Sequence, residues 1–214
     1  TIERQLMLDL GQGYLPKPLQ RPHPPIVATV VAPFSKGVTE AAARGWDPIS
    51  ANFLMPVWVR SHWTKYVEGC ERVGRPAKPA NWRIARSIFV ADDDATARAY
   101  VNDAHSPYRY YFNNLYTKLK SANRQIAFKS SADQPDDDVT LDSVCDGLVI
   151  HGSPNRIVDQ LLAFREMTGD FGTLLYAGKD WRDRALGRRS MILMAEKVMP
   201  ALNAAIGRSV AAAE

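Results

Sequence analysis

IVATVVAPFSKG, residues 26–37, is the stretch on which the fold turns. Its first six residues are apolar or β-branched without a break, which predicts a strand buried on both faces. From Ser35 to Arg44 the spacing changes: Val38, Ala41 and Ala42 fall on one side of a helix, with Gly45 as its stop. A strand that passes within a few residues into a helix is the repeating unit of an α/β fold.

The same unit recurs outward from this stretch. Residues 48–52 (PISAN) predict a second strand. A long helix follows from about Pro56 to Val73, with Val59, Trp63, Tyr66, Val67, Cys70 and Val73 at helical spacing, Pro56 in its first turn and Gly74 after its end. Residues 83–91 (RIARSIFVA) predict a third strand, and Asp92 to Asp94 offer caps for a helix through ATARAYV. Residues 105–147 break the rhythm with an aromatic stretch, an acidic loop and an amphipathic piece, too long for a simple loop. Ser153 and Pro154 then open a helix on Ile157, Val158, Leu161, Leu162 and Arg165 that stops at Gly169. TLLYA (173–177) predicts a fourth strand. A last helix runs from about Ala185 to Leu202, with Met191, Leu193, Met194 and Val198 as core candidates and Pro200 shortening it. Four strands, each followed by a helix, predict parallel pairing through helical crossovers. They amount to half of an eightfold (β/α) barrel, or to an open doubly wound sheet.

Composition agrees with a globular α/β chain of 214 residues: 46% hydrophobic, 23% charged, net charge +4. The charges are interspersed, so neither nucleic acid nor a membrane surface is an expected partner. No apolar run approaches the ~18 residues of a membrane span. Cys70 and Cys145 are too few for a disulfide framework, and without a signal peptide the expected compartment is a reducing cytoplasm. The chain starts at Thr1, and Pro16, Pro18, Pro22, Pro24 and Pro25 make residues 1–25 read as a connector, as in a fragment or a split chain. The domain proper is then 26–214, with a helical insertion at about 105–150.

In either α/β architecture the chemistry lies beyond the C-terminal ends of the strands. The turn A-P-F-S-K-G-V is the most informative candidate. Free backbone N–H groups and the positive end of the helix dipole suit a phosphate there, with Ser35 as a hydroxyl donor, Lys36 as a charge and Gly37 as room for close approach. The bland alternative is that Ser35 caps its helix. Asn52, Phe53, Met55 and Trp58 offer an oily lining for a flat ring or hydrocarbon, the alternative being packing between strand and helix. The turn after the fourth strand presents Tyr176, Gly178, Lys179, Asp180 and Trp181, where Lys179 and Asp180 read as a catalytic pair or a solvated one. The four histidines are scattered; His62, mid-helix, reads as packed or exposed, and no metal-ligand spacing is present. There is no Walker loop, GxGxxG or GxSxG, and no catalytic residue can be named. That favours chemistry carried by a cofactor.

PLQRPHPPIVATVVAPFSKGVTEAAARGWDPISANF (18–53), WRIARSIFVADDDATARAYV (82–101), HGSPNRIVDQLLAFRE (151–166), GTLLYAGKDW (172–181) and RRSMILMAEKVMP (188–200) together resemble the bacterial-luciferase-like flavin-dependent monooxygenases. The likeness is to the limonene- and alkanal-monooxygenase branch and covers about residues 17–207. It implies a (β/α)8 TIM barrel, of which this chain supplies about the last four β/α units. It also implies reduced FMN delivered by an NAD(P)H-dependent flavin reductase, O2 as co-substrate, and transfer of one oxygen atom to a small hydrophobic substrate. Family members are commonly homodimers. By position, Pro33, Phe34, Ser35, Lys36 and Gly37 would hold the FMN phosphate, while Thr29 and Val31 approach the flavin ring. Asn52, Phe53 and Tyr176 would border ring or substrate, with Met55 and Trp58 in the surrounding apolar wall. The resemblance begins in mid-barrel, which leaves three outcomes: the first four strands come from elsewhere, as favoured here, two copies close a barrel, or the half-barrel has no activity. The alternatives are a deazaflavin-dependent oxidoreductase of the same superfamily and a non-catalytic flavin-binding subunit.

Overall fold

Five short parallel strands and eight helices follow one another in the computed structural model, which describes residues 18–21, 23–179 and 182–211. Most of the predicted connector, residues 1–17 and 22, lies outside them, as do Asp180 and Trp181. The strands are β1 (Val27–Val30), β2 (Asp47–Ser50), β3 (Arg83–Val90), β4 (Val149–Gly152) and β5 (Thr173–Tyr176). The helices are α1 (Lys36–Ala43), α2 (Pro56–Glu71), α3 (Asp94–Asn102), α4 (Pro107–Ser121), α5 (Leu141–Leu148), α6 (Pro154–Thr168), α7 (Arg184–Leu193) and α8 (Met199–Ala211).

Local signals account for most of these boundaries. The Asp93 carboxylate accepts the Thr96 amide at 2.7 Å and starts α3. Thr140 and Ser143 form a reciprocal capping pair at the start of α5. Gly45, Gly74 and Gly169 take positive φ just past α1, α2 and α6. Ser153 differs from expectation: its side chain caps nothing, and its amide donates instead to Asp94 at 2.7 Å. Pro200 does not end the last helix either. A π-helical turn at Met194–Val198 leads straight into α8, which continues through Pro200.

The sheet is built on β3, whose eight residues are buried from Ile84 onward. β1 pairs with β2, and β2 with the start of β3 through Ile49↔Arg83 and Ser50↔Ile84. β5 pairs with Arg83–Arg86, so it must lie on the opposite edge. The carbonyls of Trp82 and Arg86 accept amides from the β5 side, whereas the Ala91 amide donates to the carbonyl of Gly152 at the end of β4. Backbone groups of alternate residues point to opposite edges of a strand, so β4 shares the β2 edge of β3 and meets only its upper half, Ser87–Val90. The main path is therefore β1-β2-β3-β5, the four expected strands in chain order. β4 was not expected; it returns the 92–148 lobe to the top of β3.

Register divides the sheet into two faces. Ala28, Val30, Pro48, Ser50, Ile84, Arg86, Ile88, Leu174 and Tyr176 share one face, on which α1, α2, α6 and α7 pack, while α3 and α4 set Tyr100 and Tyr108 against Phe89 on the opposite face of β3. On the first face Ile88, Val90, Ile150, Ile157, Leu161, Leu193, Met194 and Val198 form one cluster, while Val30, Val38, Ala42, Tyr66 and Cys70 form another. Met191, expected in this core, is exposed. The opposite face is open along β1 and β5: Val27, Thr29, Val31, Thr173 and Leu175 are exposed, Leu175 to 48%. The expectation that β1 is covered on both faces is therefore corrected. Only its helix side finds a packing layer among the described residues.

Two close approaches fix the helix layer. A Cβ at Gly69 of α2 would stand 2.2 Å from the Thr39 carbonyl oxygen of α1, and one at Gly172 would stand 2.1 Å from that of Ala80. Arg86 is fully buried and has no carboxylate partner among the described residues. Its guanidinium donates to the Leu54 carbonyl at 2.9 Å, lies 4.8 Å from the centre of the Phe164 ring, and is pushed down to a pKa of about 10 by burial.

Candidate functional site

The turn after β1 is held from behind by two adjacent residues of α2. Ser61 Oγ accepts the Phe34 amide at 3.0 Å, and His62 Nε2 donates to the Ala32 carbonyl at 2.9 Å. A carbonyl can only accept, so Nε2 carries the proton and Nδ1 is bare. Nδ1 then accepts the Ser50 hydroxyl at 2.8 Å, and Ser50 Oγ in turn accepts the Trp82 indole N–H at 2.9 Å. Burial pushes the His62 pKa down to about 4, so the ring is neutral near pH 7 and this chain of donors has one sense. Held at both ends, the turn carries Phe34 at φ 51, and the Phe34 ring packs edge-on against Trp58 with centroids 6.0 Å apart. His62 thus proves to be packed, with both nitrogens committed.

What the turn leaves free is as telling. Ser35 makes no side-chain cap, so its hydroxyl is not committed to the helix. Among the described residues the amides of Lys36 and Gly37 make no hydrogen bond within the chain. A Cβ at Gly37 would crowd Ser35 Oγ at 3.3 Å. The turn presents a hydroxyl, two amides and the exposed Lys36 at a helix N-terminus, all of them donors suited to an anion. Thr29 and Val31 lie below it on the open face of the sheet.

A second polar group meets across the strand ends. Asn52, just past β2, donates from Nδ2 to Ser87 Oγ of β3 at 2.9 Å and accepts at Oδ1 from the Tyr111 hydroxyl of α4 at 3.1 Å. Lys179, past β5, sets its Nζ 4.0 Å from the centre of the Tyr111 ring. Phe53 is half-buried beside them. The other expected lining residues are engaged elsewhere. Met55 is buried with its thioether where a Cβ of Gly147 would go, and Trp58 donates its indole N–H to the Lys129 carbonyl at 2.8 Å. Tyr176 faces the helices, its hydroxyl 3.0 Å from Ser190 Oγ. Sequence points to Tyr111 only as part of the aromatic stretch 108–116 and not to Ser87; their pairing with Asn52 in space reveals both.

None of the expected site residues lines the 680 Å3 cavity between α3 and the start of α7, where Arg182 pairs with Asp103 at 2.8 Å. Among the described residues no group of three or more His, Cys, Asp or Glu could hold a metal ion, and no helix is long and apolar enough to cross a membrane. Cys145 is buried, with its thiol pushed up to about 11.

A family model described as luciferase-like monooxygenase matches residues 11–170, three quarters of the sequence. The chain belongs to this family. Among luciferase-like relatives, it is 30% identical over 190 residues to 4-hydroxyprotoasukamycin monooxygenase of Streptomyces nodosus subsp. asukaensis, covering 86% of this chain and 48% of that protein. It is 27% identical over 175 residues to limonene 1,2-monooxygenase of Rhodococcus erythropolis, covering 81% and 40%. A solved structure, the oxygenating constituent of 3,6-diketocamphane monooxygenase from the CAM plasmid of Pseudomonas putida in complex with FMN, superposes with a TM-score of 0.72. It is 25% identical and covers 83% of this chain and 49% of that one. The chain spans about half the length of these luciferase-like relatives. Parallel strands alternating with helices, together with this neighbour, make the fold TIM-barrel-like.

Proposed function

We propose that this chain is the C-terminal half of a flavin-dependent monooxygenase that takes reduced FMN, O2 and a small hydrophobic substrate. On this reading residues 26–214, with the insertion at about 105–150, are the last four β/α units of an eight-stranded barrel. The open face along Val27, Thr29, Val31 and Leu175 is then the barrel interior. The rest of the barrel comes from preceding sequence or a second chain, and the assembled enzyme is a homodimer served by an NAD(P)H-dependent flavin reductase.

The observation that carries the reading is the turn at 32–37. Its shape is held by Ser61 and His62, while Ser35 Oγ and the amides of Lys36 and Gly37 stay uncommitted. Those donors fit the phosphate of FMN. Pro33 and Phe34 shape the approach, and Thr29 and Val31 lie where the flavin ring would rest. Bound and reduced, FMN would supply the electrons that activate O2. The chain's own part is to grip the phosphate, to present Asn52 and Phe53 at the rim, and to keep water from the apolar interior.

The experiment compares FMN with riboflavin, which lacks the phosphate, by fluorescence titration of the full-length protein. Ser35→Ala is expected to weaken FMN about tenfold, the range of a hydrogen bond to a charged group, while leaving riboflavin unchanged. Equal loss for both flavins, or none for either, would refute the phosphate assignment.

A further inference from the structure

We propose that Lys179, seated on Tyr111 at the rim, is a substrate-binding residue that donates a hydrogen bond to the carbonyl oxygen of an otherwise apolar ketone. This deepens the reading above and rests on it. The argument begins with four side chains from four separate elements. Asn52 follows β2, Ser87 stands in β3, Tyr111 stands in α4 and Lys179 follows β5. They meet where the strands end, beside the open sheet face.

Hydrogen-bond accounting separates their roles. The Tyr111 hydroxyl is given to Asn52, and the Asn52 amide is given to Ser87. These bonds fix the ring on which Lys179 sits. Lys179 itself has three N–H donors and a single long contact, 3.5 Å to the Ala177 carbonyl. Its ammonium is half-buried, and no carboxylate pairs with it among the described residues. Burial alone pushes its pKa down to about 8. A cation drawn from water onto an aromatic face, with donors to spare, is suited to an acceptor that arrives with a ligand.

The surroundings define that acceptor. Phe53 adds a ring beside Asn52, and the open face of the sheet carries Val31 just past β1 and Leu175 on β5, so the body of the ligand is apolar. A lone ammonium is a compact point donor, which one acceptor oxygen satisfies. A single ammonium above a ring matches one carbonyl oxygen.

The test uses the full-length, flavin-free protein and calorimetric titration with two probes of equal shape: norcamphor, a bicyclic ketone, and 2-methylenenorbornane, in which CH2 replaces the oxygen. The parent should prefer the ketone about tenfold or more. Lys179→Met keeps the apolar stem over Tyr111 and should bring the ratio to near one. Lys179→Arg should retain a preference, and Lys179→Leu provides a second variant without a donor should the Met form fold poorly. FMN affinity should be the same in all four. A ketone preference that survives in Lys179→Met and Lys179→Leu, or is missing from the parent, overturns the proposal. So does a loss of FMN affinity with the ketone ratio intact, which would assign Lys179 to the flavin. Failure of the parent to bind FMN would instead sink the monooxygenase reading, with the ketone ratio still measurable.

Discussion

His62 is a single residue on which the shape of a whole turn depends. Its neutral ring accepts from Ser50 and donates to Ala32, and protonation would put a second N–H where Ser50 now donates. The folded pKa of about 4 lies below the ordinary value of 6.5, so the unfolded chain binds the extra proton first. Stability therefore rises with pH through this window and is lost as pH falls from about 6.5 to 4, by roughly 3 kcal/mol at the lower end. Urea denaturation at pH 7, 5.5 and 4.5 should show this slope in the parent and a flatter one in His62→Gln. Parallel slopes would mean the ring does not titrate as described. A lone histidine in a helix gives no sign of this in sequence, because its partners Ser50, Trp82 and Ala32 come from other segments. Ser35 was legible, since a hydroxyl between a strand and a glycine is a local pattern. Its freedom from capping was not, because that depends on torsion angles. Lys179 was read beside Asp180, but its partner is the Tyr111 ring, 68 positions away in the chain.

At the level of elements, the contact of α1 with α2 hinges on Gly69. A methyl group there would meet the Thr39 carbonyl oxygen at 2.2 Å and Ala42 Cβ at 2.7 Å, both on a helix with no room to retreat from β1. Gly69→Ala should cost about 3 kcal/mol despite its better helix propensity, read as a lower thermal midpoint. A neutral or stabilising result would show that the two helices slide freely. The long helices and the four expected strands were legible because period and punctuation agree in them. β4 escaped because Gly147 lies inside the last turn of α5 and the strand starts at Val149 with no residue between them. Met191 was misplaced because the helix face rotates at the π turn, which brings Met194 and Val198 inward while Met191 stays outside.

Across the whole molecule, the open face decides behaviour in isolation. Val27, Val31 and Leu175 expose 39, 46 and 48% of their surface along two outer strands, and unpaired apolar edges invite association. The 214-residue chain alone should self-associate in sedimentation velocity as its concentration rises, and Val27→Lys with Leu175→Lys should return it to a monomer. A monomeric parent at high concentration would argue against the half-barrel. The order of the four main strands was readable from alternation alone, whereas the forked edge of β3 was not, since it depends on which backbone groups face which neighbour. That fork has a consequence of its own. The excursion from Asp92 to Leu148 departs from the top of β3 and comes back to the same place, its two ends tied by Asp94 and Ser153. It behaves as a cassette plugged into one socket. Residues added or removed within it would leave the turn at 32–37 where it stands.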